Sequence, residues 1–426
     1  MPGRRHFSSL VVLLAGTTLA APALADPLDP FASDGSGHDN ERLRPGIYPA
    51  APVPADFAVP PEPGHPPFDI DWSVGLRGTL THSAGADSFV TTLNPAFTAT
   101  HAGVRTDLVL DGSAEIARPG GGELSVTALG LGVSGTYALD GETTLSGNAG
   151  IGLSQDLPGT PGLNPVIVEP PAIATGTLGL GIDRSFGLFN LGAGASAVRT
   201  VYGTTTRTDT GITDNSDQNL WSTEASLRLG YQVTPIFEVF GQGTIGRDIF
   251  DLPSATLLVR PDATERALRA GITGKWNGIL EASASIGVGQ RDFDAASLGD
   301  ITTQLYDASL TFTPDPTLSL TAGLSSAIAP PGADATGTAR IEHTATAKLD
   351  YTVNSWLRLR ASADWGISEL VGSAETETRY GLGAGADYKV NAHTALSADY
   401  GYGHRNNSAT GLLDTHTVSL GITVRR

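Results

Sequence analysis

Ser397, Asp399 and His404 bring a hydroxyl, a carboxylate and an imidazole close together in the chain, and Glu342 stands next to His343. Such groups hydrolyse bonds when they converge on one point. Here they lie in stretches that read as β-strands, where neighbours alternate faces. In each set the imidazole then points away from its partners. His343, His404 and His416 fall on the apolar face, near an outer interface. The chain has no Cys, so it has no thiol nucleophile, CxxC metal site or disulfide framework. No GxxxxGK[ST], HExxH or GxSxG occurs. Asp209, Asp214 and Asp217 could face a hard cation, but their spacing fits no EF-hand loop. They read as a solvated acidic loop. The expectation is no enzyme, no cofactor and no metal.

The remaining charged residues recur on alternate positions and form a candidate lining. It comprises Arg228, Arg269, Glu281, Arg340, Glu342, Lys348, Arg358, Arg360, Asp364, Arg379, Asp387, Lys389, Asp399 and Arg405. Arg105, Asp107, Asp111, Glu115, Glu224, Glu238, Lys275 and Asp350 are in phase with them. One reading makes these residues cross-strand pairs that stiffen a wall. The other makes opposed basic and acidic rows that bias which solutes pass. The last five strands carry the run of basic residues and are expected to form a basic wall.

The elements that hold this lining have a period of two. From Leu357, the residues Leu357, Leu359, Ala361, Ala363, Trp365 and Ile367 share one face, and Arg358, Arg360, Ser362, Asp364 and Ser368 share the other. Val418, Leu420, Ile422 and Val424 alternate likewise with Ser419, Gly421 and Thr423. Gly supplies 53 of 426 residues, well above the usual share of about 7%. Short connections near 100–104, 139–142, 184–187, 233–235, 276–278, 313–316, 353–355 and 390–393 alternate with longer ones near 83–87, 118–123, 156–171, 203–218, 251–263, 293–301, 330–335, 371–375 and 406–411. Asp-Gly, Asn-Gly and Thr-Pro in the short set are hairpin chemistry. These connections delimit 18 antiparallel strands, with 16 as the alternative because Pro95 interrupts an early one.

Such a closed sheet is too wide for side chains to fill, so its interior is watery and its apolar face looks outward. The fold class is therefore all-β, a transmembrane up-and-down barrel with short periplasmic turns and longer outer loops. Trp276, Tyr351 and Tyr388 lie near the turns. Tyr306, Trp365, Tyr380, Tyr400 and Tyr402 lie towards the other end, as two aromatic girdles would.

Residues 1–25 form a cleaved secretory leader, with Arg4 and Arg5, an apolar core and the Ala23-Leu24-Ala25 cleavage site. Residues 26–67 carry dense proline and read as a disordered periplasmic arm. It would act as a tether, a docking segment or a partial plug. Residues 68–426 form the barrel. The net charge of −18 argues against a nucleic-acid partner.

The stretch from Thr378 to Val424 has a Gly-x-Gly-x-x-Tyr strand (Gly383, Gly385, Tyr388). A short Asn-containing turn follows, then an Ala-x-Tyr-x-Tyr strand (Ala398, Tyr400, Tyr402) ending in Arg405. It resembles the putative β-barrel porin type 2 family, and the likeness extends diffusely over residues 68–426. The resemblance implies an outer-membrane β-barrel and supplies no substrate and no catalytic residue. The chain departs from the common aromatic ending, which the barrel assembly machinery reads, by closing on Val424-Arg425-Arg426.

The reading is a porin-like channel for passive diffusion of small hydrophilic solutes in the outer membrane of a Gram-negative bacterium. The alternative is a closed-lumen structural or surface-display barrel. Partners are outer-membrane lipid, the assembly machinery and the solutes; the oligomeric state is open. The connections 156–171 and 203–218 are long enough to fold inward as a constriction.

Overall fold

The computed structural model describes residues 68–426 apart from 84, 157–165 and 333–336. The leader 1–25 and the arm 26–67 lie outside the described residues. In chain order the strands are β1 (Asp69–Ser83), β2 (Ala86–Ala102), β3 (Thr106–Pro119), β4 (Ser125–Ala138), β5 (Thr143–Ser154), β6 (Ile167–Glu169) and β7 (Ile173–Phe186). Then come β8 (Phe189–Tyr202), β9 (Thr205–Arg207), β10 (Gly211–Thr213), β11 (Leu220–Gln232), β12 (Phe237–Phe250), β13 (Ala263–Trp276) and β14 (Leu280–Phe293). The last are β15 (Ile301–Asp315), β16 (Leu318–Ala329), β17 (Ala339–Thr352), β18 (Leu357–Val371), β19 (Thr376–Lys389), β20 (Thr394–Asn407) and β21 (Gly411–Arg425).

Eighteen of these strands form one antiparallel sheet, each pairing with its neighbours in sequence. β1 pairs with β2 and also with β21, from Ser73–Arg425 to Ser83–Thr415, so the sheet closes on itself. This settles the strand count at 18. Pro95 does not split β2. Its pairing with β1 runs through Val74–Pro95, and only the β3 side skips from Leu93–Ile116 to Ala96–Ser113 in the same register. A proline is tolerated where its missing donor faces the interrupted side. The final strand completes the closure although it ends in arginine.

All eight short connections fall where the sequence places them. Asn277 and Gly278 both have positive φ, 48° and 70°, the left-handed pair that a tight hairpin turn requires. At the opposite end the lengths are uneven. β1 and β2 are joined by two residues, whereas 155–172, 203–219, 251–262, 294–300 and 330–338 are long. The long connections cluster between β5 and β17. Two of them carry β6, β9 and β10, which make a separate three-stranded sheet.

Leu227, Leu268, Leu382 and Leu420 are more than half exposed, as lipid-facing side chains of an isolated barrel are. The opposite face is concave, and its side chains reach one another over two strands. Arg360 on β18 meets Asp399 on β20, and Arg77 on β1 meets the same Asp399. This face is the lumen.

Among the described residues the ladders bulge at Glu115–Ile116 and at Phe312–Asp315, and one ladder stops short. The β15–β16 ladder ends at Asp307–Ser325, whereas β14–β15 continues to Arg291–Ile301 and β16–β17 to Ala329–Arg340. Above that point the β16–β17 hairpin turns into the lumen. β14 and β16 touch although β15 lies between them. Ile328 packs with Ala263, Phe293, Ile301 and Ala339 as a buried inner cluster. An inward constriction was expected from 156–171 and 203–218; of these, 157–165 lie outside the described residues, and the hairpin is an inward element that the sequence did not point to. A proline-free run of alanine and isoleucine can leave a ladder at small side-chain cost when it gains an apolar cluster instead.

A charge on the outer face should destabilise according to depth. Leu268 lies mid-strand, so Leu268→Arg should cost about 2–4 kcal/mol in urea unfolding from lipid vesicles, and Leu359→Arg, beside a turn, about 0–1 kcal/mol. Equal costs at both positions would contradict the assigned faces and depth.

Candidate functional site

The lumen lining is built from the in-phase residues of each strand, and the structure joins most of the expected charges in pairs. Its largest network crosses the seam where the barrel closes. Arg360 donates to Asp399 at 2.7 Å and pairs with Asp387 at 2.9 Å. Arg77 pairs with the other oxygen of Asp399 at 3.0 Å and donates to Ser419 at 3.2 Å. Five strands, β18 to β21 and β1, are thereby linked by side chains as well as by backbone. Inward glycines make this possible. Gly385 lies between Arg360 and Asp399 in the register, and a Cβ there would collide with the Asp399 carboxylate. The glycines of the Gly-x-Gly strand are thus tracks along which long side chains lie flat.

Other expected residues follow the same rule. Arg228 pairs with Glu238 at 2.6 Å and lies 4.1 Å from the Phe240 ring centre. Lys275 pairs with Glu281 at 2.9 Å, Arg358 with Asp350 at 2.6 Å, Arg405 with Glu377 at 2.6 Å and Arg340 with Glu342 at 3.2 Å. Arg340 also donates to the Pro331 carbonyl, so it braces the inturned hairpin. Arg269 reaches the Ser326 carbonyl of that hairpin at 3.5 Å, a long contact. Asp364 lies over Gly381 and Arg379 over Gly366. Lys348 and Lys389 share the inner face of β17 and β19 with these groups.

The basic wall expected on the last five strands is therefore largely neutralised. Each of Arg358, Arg360 and Arg405 has a carboxylate within 3 Å: the register sets Arg358 opposite Asp387 and Arg360 opposite Gly385, and Arg405, opposite Arg379, reaches diagonally to Glu377. The inner faces of β3 and β7 carry Asp107, Asp111 and Asp183 and no basic residue.

Arg77, Asp248, Arg291 and Glu377 were missed. Arg291 is almost fully buried and pairs with Asp248 at 2.7 Å, with Glu265 at 3.7 Å. Their positions in the alternation were the available signal; their partners lie on other strands and were not.

The candidate reactive groups do not converge. Asp399 is held by two arginines on the inner face, while His404 meets Asp414 at 2.7 Å and stacks on Tyr380 on the outer face. Tyr400 and His416 are joined at 2.9 Å on that outer face. Asp209 accepts from Arg207, Asp214 from the Ser216 amide and Asp217 from the Ala255 amide, so the three carboxylates have separate partners.

Ion pairs at the outer rim tie the long connections to the wall. Arg199 binds Asp251 and lies over Trp221. Arg247 binds Asp294 at 2.8 Å. Each arginine holds its partner's carboxyl below the usual carboxylate range, chiefly by hydrogen bonding.

Two tests arise from this geometry. Asp399→Ala leaves two lumen arginines without their shared acceptor and should lower unfolding stability by about 1–3 kcal/mol. Asp350→Ala breaks one exposed pair and should cost less than about 1 kcal/mol. The rim pairs have depressed folded pKa values. Their contribution is complete above the unfolded value of about 3.9 and lost as pH falls through the folded one. Protease resistance of 251–262 and 294–300 should therefore stay level from pH 8 to pH 5 and drop only below about pH 4; a drop between pH 7 and pH 5 would refute the tether.

A family model described as putative beta-barrel porin 2 matches residues 77–426. Among solved structures, the chain is similar to Pseudomonas aeruginosa OpdK, crystallised with vanillate, at 12% identity and a TM-score of 0.41, covering 84% of this chain and 99% of that one. It is similar to OccK2 (OpdF) of the same organism at 11% identity and a TM-score of 0.44, covering 84% and 98%. It is also similar to the loop-L8 deletion mutant of Vibrio cholerae OmpT at 15% identity and a TM-score of 0.31, covering 85% and 100%. No curated protein matches the chain.

Proposed function

The chain belongs to the putative β-barrel porin 2 family, an outer-membrane barrel of porin type, and on that footing we propose that it passes small hydrophilic solutes by diffusion down its lumen. The observation that carries this reading is the sorting of side chains across one closed wall. Apolar residues such as Leu268 and Leu420 face out, and ion pairs with serine, threonine and glycine face in. A bore lined in this way stays hydrated.

Paired charges suit a general diffusion path. They hold water and solute hydroxyls without trapping a single ion. The field between the partly neutralised β17–β1 wall and the carboxylates of β3 and β7 would set a mild bias among charged solutes. The fourteen lining residues are proposed in this role.

The same reading includes export by a leader cleaved after Ala25, an arm over 26–67 on the periplasmic side, and insertion by the barrel assembly machinery into lipid. The inturned β16–β17 hairpin favours a second reading, a barrel narrowed until it serves as structure or display.

Purified protein in a planar bilayer should give stepwise conductance, and vesicles carrying it should swell in small sugars. Folded, heat-modifiable protein that shows neither would favour the narrowed barrel and sink the diffusion channel.

A further inference from the structure

In hydrocarbon an open strand edge is costly, because each backbone group without a partner loses several kcal/mol. Closed barrels exist to avoid such edges. Among its described residues this barrel keeps one, at the outer end of β15 beyond the girdle residue Tyr306. From Ile301 to Leu305, β15 pairs with β14 and, among the described residues, with nothing on its β16 side. Had the register continued, Leu305 would oppose Ala327 and Thr303 would oppose Ala329. No proline stands in Ser326–Ala329 to prevent it. The first lost rung is replaced by a side chain. The Ser326 hydroxyl donates to the Tyr306 carbonyl at 3.1 Å and accepts from the Tyr306 amide at 2.6 Å.

The seam is apolar on both sides. Inside, Ile328 lies beside Leu305 over Gly289 and packs with Phe293 and Ile301. Outside, directly below the unpaired stretch, Ala308 and Leu324 form the second intact pair. They begin a hollow of about 500 Å³ in the lipid-facing wall, continued by Ala345, Trp365, Tyr380 and Leu382. Alanine on its floor leaves space that leucine would fill. Tyr306 and His343, with ring centres 6.5 Å apart, stand beside the unpaired stretch and offer polar tips.

We propose that the β15–β16 seam is a side door through which small amphipathic solutes with an apolar body pass between the lumen and the outer leaflet. Such a solute would exchange the inner cluster for the outer hollow without exposing its apolar body to water, and its polar end would pass at Tyr306 and His343. The route requires the outer-membrane barrel but not conductance through the bore.

The test uses cells that express the full-length chain and 1-N-phenylnaphthylamine, an apolar dye that an intact outer membrane excludes. The absence of native Cys allows a clean staple, Leu305→Cys with Ile328→Cys, across the seam. A second variant, Ala345→Trp, fills the hollow. Wild type should admit the dye several-fold faster than the host alone. The oxidised staple should lower entry to the host level, reductant should restore it, and Ala345→Trp should lower it without a staple. Bilayer conductance should stay unchanged in both. Dye entry at the host level in wild type overturns the proposal, as does entry unchanged by both variants. Entry that falls only together with conductance assigns the dye to the bore and also overturns it. Dye entry that responds to the variants in a protein without conductance supports the side door and removes the diffusion channel alone.

Discussion

A bilayer core offers no water to backbone N–H and C=O groups, and everything else in this molecule depends on that shortage. Strands can cross only if each finds partners on both sides. The pairing of β1 with β21 over eleven registered residues, Ser73–Arg425 to Ser83–Thr415, joins the first strand to the last. Once the sheet is closed, its two faces see different solvents. The choice of leucine or arginine at each position is then a choice between lipid and lumen water.

Closure also explains how the charges are arranged. On the concave side, neighbouring strands bring their side chains towards one another, so a guanidinium can cross an intervening glycine and reach a carboxylate two strands away. Arg360, Gly385 and Asp399 form one such row. On the convex side the side chains diverge, and aromatic rings and histidines meet mostly nearest neighbours, as Tyr380 and His404 do. Lumen arginines therefore stiffen the wall while keeping it polar. These two roles do not compete, because a paired group still holds water on its free side.

The β15–β16 seam is the exception that the rest of the wall makes visible. The ladder is given up for a short stretch, a serine hydroxyl caps the break, and an apolar cluster inside takes the place of the missing rungs. The inturned hairpin narrows the bore on the same side, and Arg340 braces it through the Pro331 carbonyl. The narrowing and the lost rungs thus come from one displacement of the hairpin.

The sequence by itself determined the strand positions, the eight tight turns and the face of nearly every side chain. These are local properties: a period of two survives in any antiparallel pairing, and Asn277-Gly278 carries its turn in its own dihedral preferences. It also placed Arg358, Arg360, Asp387 and Asp399 on one face. It did not pair them, because Arg77 meets Asp399 across nearly the whole chain, and the register that joins them exists only when β1 closes on β21. The expected basic wall became a neutralised one because Arg358, Arg360 and Arg405 meet carboxylates on β17, β19 and β20, partners that alternation alone does not assign. The inturned β16–β17 hairpin was hidden from the sequence for a related reason. Length suggests which segment could fold inward, but only packing of Ile328 against Phe293 and Ile301 decides which one does.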